Sequence, residues 1–186
     1  MPATVGLGFI ANAGAGVDFR DVPQSNGTSA HYIALDTVSS LGVDLTDRLA
    51  FGAALFIGTA FLDGPFVDTG GMVPDYALRG SLGLNYFVTD DTSIGGYWQS
   101  KKSHTFDDAA LIGALPAQDI KLDHPDNFGM GIANSRLMEG RLLLAADVMF
   151  KNYSDAAFLG AIYNDQWAYK FGSQYALTDR VRLRMG

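Results

Sequence analysis

The chain has 186 residues, a formal net charge of −7, no cysteine, and 48% hydrophobic residues. That length suits one domain or one medium-sized sheet system. The missing cysteine excludes disulfide scaffolds and thiolate metal sites, and the acidic balance argues against a nucleic-acid partner, which favours a basic face.

From the N-terminus, Met1-Pro2-Ala3-Thr4-Val5 has no basic segment leading into an apolar core, so it does not read as a signal peptide. Gly6-Leu7-Gly8 and Gly14-Ala15-Gly16 lack the strand–turn–helix context of a dinucleotide site. They suit bulges or close strand packing. A first hairpin is predicted next. Ile33, Leu35, Leu41, Val43 and Leu45 alternate with Ala34, Asp36, Ser40, Gly42 and Asp44. After Leu45-Thr46-Asp47-Arg48, the residues Leu49, Phe51, Ala53, Leu55 and Ile57 alternate with small ones. The longest apolar run, Leu49 to Ile57, is strand-length, well short of the roughly 18 residues a membrane helix needs.

A polar stretch from Leu62 to Asp75 leads to the next strand, with Tyr76, Leu78, Gly80, Leu82, Leu84 and Tyr86 opposing Ala77, Arg79, Ser81, Gly83 and Asn85. Val88-Thr89-Asp90-Asp91 is a second tight junction. A long polar loop is predicted from Asp107 to Asp126, and Met138-Glu139-Gly140-Arg141 is a third junction. Leu142, Leu144, Ala146, Val148 and Phe150 then oppose Leu143, Ala145, Asp147, Met149 and Lys151. After a loop from Ser154 to Gln166, Trp167, Tyr169, Phe171, Ser173, Tyr175 and Leu177 oppose Ala168, Lys170, Gly172, Gln174 and Ala176. Leu177-Thr178-Asp179-Arg180 closes the series. Period-two alternation marks a sheet with two unlike faces.

Tight turns at one end and long loops at the other are the layout of bacterial outer-membrane barrels. Aromatic residues (Tyr76, Tyr86, Trp98, Trp167 and Tyr175) bracket the apolar stripes as a membrane-interface girdle does. Segments of 10–14 residues suit a crossing that takes roughly 9–11. Charges such as Asp36, Arg79, Lys101, Asp147, Lys151, Lys170, Arg182 and Arg184 fall on the other face, where a soluble core would make them costly. The expected fold is therefore all-β, an antiparallel up-and-down transmembrane β-barrel in the bacterial outer membrane, with short periplasmic turns and longer extracellular loops.

The chain resembles the FadL/TodX family of outer-membrane transporters for long-chain fatty acids and aromatic hydrocarbons. The resemblance runs through 76–86 (Tyr-Ala-Leu-Arg-Gly-Ser-Leu-Gly-Leu-Asn-Tyr), 91–101, 123–133, 142–148, 163–172 and 181–186. It implies a monomeric barrel of fourteen strands, of which about nine are counted here. It also implies an N-terminal hatch and an apolar pocket through which ligands pass without energy input. The hatch and the C-terminal strands have no counterpart, so residues 1–186 read as a single partial barrel domain.

Ligand or lumen-facing candidates are Arg79, Asn85, Gln99, Lys101, Asp147, Lys151, Lys170 and Gln174. The alternative for such charges is a salt-bridge network with Asp36, Asp44 and Asp147 that props the lumen open. His31, His104 and His124 lack metal-ligand spacing and are expected at the surface. Ser100, Ser103 and His104 with Asp107 and Asp108 do not form a hydrolase pattern, because no nucleophile elbow accompanies them. Asp107-Asp108 and Asp123 with Asp126 have the chemistry for calcium or lipopolysaccharide-bridging cations, but are expected as solvated loop acids. Asn26-Gly27-Thr28 matches a glycosylation acceptor but carries little meaning in a bacterial outer membrane. No cofactor, metal or catalytic residue is expected. The partners implied are a hydrophobic small molecule, outer-membrane lipid and lipopolysaccharide. The rival functions are a non-transport barrel, serving as anchor or adhesin, and an outer-membrane hydrolase.

Overall fold

The computed structural model describes residues 2–19, 21–25, 29–63, 72–110 and 116–186. Asn26-Gly27-Thr28 and most of the stretch between Leu62 and Asp75 lie outside them. The strands are β1 (Ala3–Asp18), β2 (Ser29–Asp44), β3 (Leu49–Asp63), β4 (Val73–Thr89), β5 (Thr92–Gln99), β6 (Lys102–Ala110), β7 (Gln118–His124), β8 (Asp126–Arg136), β9 (Leu142–Asn152), β10 (Gln166–Ala176) and β11 (Arg182–Met185). Nine of them form one antiparallel up-and-down sheet in the order β1-β2-β3-β4-β5-β8-β9-β10-β11, and β6 and β7 pair separately. Among the described residues no helix is long and apolar enough to cross a membrane.

The recurring Thr-Asp turn has a local cause. Thr46 Oγ1 accepts hydrogen bonds from the backbone N–H groups of Arg48 and Leu49 at 3.2 and 3.0 Å. Thr89 does the same for Asp91 and Thr92, and Thr178 for Arg180 and Val181. A side-chain oxygen capturing its own turn's N–H groups is the reason hydroxyl residues favour these positions. The fourth turn uses left-handed backbone instead, at Met138, Glu139 and Gly140 (φ 54°, 61° and 82°).

Each long strand separates two faces. The outer face carries Leu7 at 83% exposure, Tyr76 at 70% and Phe171 at 74%, with Leu55, Ile57, Leu78, Leu84, Met130 and Leu183 also exposed. These residues lack any covering protein layer, whereas a soluble sheet packs its apolar face away from water. Register lines Trp98 up opposite Phe128, Phe128 opposite Phe150, and Phe150 opposite Trp167, an aromatic row across four strands. The Phe150 and Trp167 rings are 5.0 Å apart. Tyr86 and Tyr175 lie at the tight-turn end, opposite Leu49 and Leu142. Tyr76 and Tyr86 are ten positions apart on one face, about 33 Å along a strand at 3.3 Å per residue. Tilting that strand by roughly 40° leaves about 25 Å, the height of the apolar band of a membrane barrel.

The inner face carries small and polar residues and is covered at the long-loop end by the β6–β7 hairpin. The segment from Asp107 to Asp126, expected as one long loop, is thus corrected: its second part is β7, which pairs back onto β6. The core is the contact between hairpin and sheet. Phe106, Ala109 and Leu122 pack on Ala34, Ala60 and Leu62.

Candidate functional site

The hairpin is held on the inner face by charge as well as by Phe106. Lys102, 0% exposed, reaches across β3 to place Nζ 2.5 Å from Asp36 Oδ1 on β2. The route is open because residue 58 is glycine. A Cβ there would lie 2.8 Å from Lys102 Nζ and 2.9 Å from Asp36 Oδ1. The other Asp36 oxygen accepts from Asn12 Nδ2 at 3.0 Å. Asn12 sits where β1 slips register between Ala11 and Ala13, and that bulge re-aims the side chain.

His104, two residues beyond Lys102 and on the same face of β6, is also 0% exposed. Its Nδ1 lies 2.9 Å from Asp75 Oδ2, which also accepts the Thr105 N–H. His124, opposite Lys102 on β7, bonds through Nε2 with the Tyr32 hydroxyl at 2.7 Å. Burial is the main force lowering the proton affinity of both imidazoles. His124 is pushed down to about 4, with Lys102 adding to burial, and His104 is lowered although Asp75 pulls the other way. The hairpin lies outside the strands of the wall. The expectation of surface histidines is therefore corrected at His104 and His124. Buried Asp123 likewise departs from a solvated loop acid, its Oδ2 accepting the Ala157 N–H.

Below the hairpin the inner face widens into two recesses. One, of about 390 Å³, is floored by Gly6, Ser40, Gly42, Gly52, Ser81 and Gly83. The other, about 350 Å³, is bordered by Asn85, Gly95, Gly131 and Asp147. Tyr97 stands at both. Its ring lies over Gly129, where any Cβ would collide with it, and its hydroxyl is 3.1 Å from Met149 Sδ. Small side chains make the room, and one aromatic divides it.

The sequence-derived candidates are dispersed over this face. Arg79, 6% exposed, donates to the carbonyls of Ser100 and Pro125, closing β4 against both hairpin ends. Gln99 Oε1 accepts from Asn127. Lys101 sits at the hairpin base, with its N–H on Asp126 and Nζ on Asp155. Asp147 is directly opposite both Lys170 and Gly131, while Lys151 faces Asn127 and Gln166 in register. Gln174 accepts from Arg184. Asn85 and Asp147 are the two that border a recess. Lys102, Asp75 and Tyr32 carry the hairpin's attachment, and sequence reasoning did not single them out. Ser103 and His104 point to opposite faces of β6, and the Ser100 hydroxyl accepts the Gly80 N–H. Among the described residues no group of three or more His, Asp or Glu is arranged to hold a metal ion.

No family model matches the chain, and no curated protein matches it. Solved structures do. The chain is similar to the Pseudomonas putida toluene transporter TodX at 19% identity and a TM-score of 0.65, over 97% of this chain and 62% of that one. A structure described as the TodX deltaS2S3 mutant monoaromatic hydrocarbon channel gives 19% identity and a TM-score of 0.72, over 98% of this chain and 62% of the other. A Pseudomonas aeruginosa FadL homologue gives 14% and 0.68, over 98% and 55%. The chain thus spans about three-fifths of the length of these channels. The nine-stranded sheet has the fold of a FadL/TodX-type barrel wall, the architecture that the resemblance in sequence implied.

Proposed function

We propose that the whole protein lets hydrophobic small molecules, aromatic hydrocarbons or long-chain fatty acids, cross a bacterial outer membrane without energy input. In this reading the nine strands are part of the wall, and outer-membrane lipid and lipopolysaccharide cover the outer face with its aromatic row. The protein acts as a monomer and not as an enzyme. The observation that carries the proposal is the near-complete match of this chain to the wall of hydrocarbon channels, an apolar exterior surrounding an interior with recesses. Ligand passes along the Gly/Ser-floored recesses beside Tyr97. Asn85 and Asp147 border that path, while Arg79, Gln99 and Lys101 hold the interior in shape. Lys151, Lys170 and Gln174 face the same interior further round the wall.

The test is uptake by cells that lack their own hydrophobic channel and express the full-length protein. Labelled toluene or oleate entering several-fold faster than in cells without it, with no change in entry of a small sugar, supports the proposal. Equal acceleration of the sugar points to a general pore, and no acceleration of any of them overturns transport.

A further inference from the structure

Beside the apolar contact of Phe106, Ala109 and Leu122 with the sheet, the hairpin is held by a cluster of ionisable groups. From the sheet, β2 presents Tyr32 and Asp36, β4 presents Asp75 and Arg79, and β8 presents Asp126. The segment after β9 adds Asp155, whereas among the described residues β3 contributes Gly58, Ala60 and Leu62 beneath it. On the hairpin and its base stand Lys101, Lys102, His104, Asp123 and His124. Among the fixed charges Lys102 pairs with Asp36, Lys101 with Asp123 and Asp155, and Arg79 lies on two carbonyls, while Asp75 meets His104 and the Thr105 N–H. Among the described residues His104 Nε2 has no hydrogen-bond partner, so a proton placed there would be buried without an acceptor. The two imidazoles are 6.0 Å apart, edge to face. Charging both would set two cations against each other and against Lys102.

We propose that the β6–β7 hairpin is a proton-operated gate, seated on the inner face when His104 and His124 are neutral and released when they are charged. This rests on the interior of the barrel being the ligand's path, and it adds a control to that path. The sign follows from linkage. A histidine held neutral in the seated state takes up a proton more readily once the hairpin is free, so seating is strongest above the ordinary value of about 6.5 and weakens as pH falls. His124 spans the window from there down to about 4. Each pH unit within it costs up to about tenfold in the seated-to-released ratio, about 300-fold over the whole window. Asp75 opposes release by favouring a charged His104. Asp36 pulls the same way, and burial of the ring, with Lys102 adding to it, outweighs both.

The experiment is a distance measurement between spin labels in the full-length protein in lipid vesicles. The chain has no native cysteine, so Lys121→Cys on the hairpin and Asp179→Cys at a tight turn give one pair. The gate predicts a single narrow distance distribution at pH 7.5 and a second, broad population that grows between pH 6.5 and 4.5. The H104Q/H124Q variant, whose amides can replace hydrogen bonds but take up no proton, keeps the narrow distribution throughout. If that variant does not fold, the native pair of curves still decides. A distribution unchanged down to pH 4.5 overturns the gate, as does a pH response that survives in H104Q/H124Q. Because the labels report position and not flux, a hairpin that moves in a protein passing no hydrocarbon would sink the transport reading and leave the gate intact.

Discussion

Lys102 Nζ and Asp36 Oδ1 meet at 2.5 Å, 66 residues apart in the chain, through a gap in β3 that exists because residue 58 has no side chain. This pair seats the hairpin, and Gly58 is its aperture. Gly58→Val closes the aperture and is predicted to destabilise the protein by about 1–3 kcal/mol, the usual cost of overpacking a filled interior. Loosening the hairpin also speeds tryptic cleavage after Lys121, which is already exposed. Gly42→Val, also on the inner face but with open space around its Cβ, changes stability by no more than about 0.5 kcal/mol. Urea midpoints in vesicles and the rate of cleavage after Lys121 check both.

Removing one partner of the buried pair leaves the other charge uncompensated. Asp36→Asn is predicted to cost about 3–5 kcal/mol, and the double variant Asp36→Asn with Lys102→Met to recover most of it. A double-mutant cycle on unfolding free energy measures the coupling. Additive losses would show that the pair does not seat the hairpin.

The outer face makes a depth-dependent prediction. Leu82 lies between Tyr76 and Tyr86 on β4, within the band that lipid covers in our reading. Leu82→Arg is predicted to cost about 2–4 kcal/mol and Tyr76→Arg about 0–1. Reversible unfolding in vesicles separates the two. Equal costs would remove the membrane from the explanation.

The wall was legible in the sequence and the stopper was not, for physical reasons. Strands such as β4 and β9 alternate apolar with small or polar residues, and in our reading lipid on one side enforces that pattern over the whole strand. The Thr46, Thr89 and Thr178 turns announce themselves because their hydrogen bonds are local. In β6 the alternation is present but inverted, with Lys102, His104 and Phe106 buried and Ser103, Thr105 and Asp107 exposed. A lysine and a histidine on a buried face read as a loop unless Asp36 and Asp75 are known to await them, and those partners lie 66 and 29 positions away. The same distance hid the histidines' burial. Arg79 stood out as an isolated charge in an apolar strand, but its partners are carbonyls at the two ends of the hairpin, which leave no signature in composition.

Two glycines three positions apart on β4 give the most direct test of the central claim, that ligand moves along the inner face of this wall. Gly83 floors a recess beside Tyr97, while Gly80 faces outward, with open space where a Cβ would stand. Toluene flux into vesicles carrying the full-length protein should fall at least tenfold in Gly83→Trp and stay within about twofold in Gly80→Trp, since 1.4 kcal/mol of barrier is a factor of about ten. Unchanged flux in Gly83→Trp, or a loss confined to Gly80→Trp, would contradict a passage on this face.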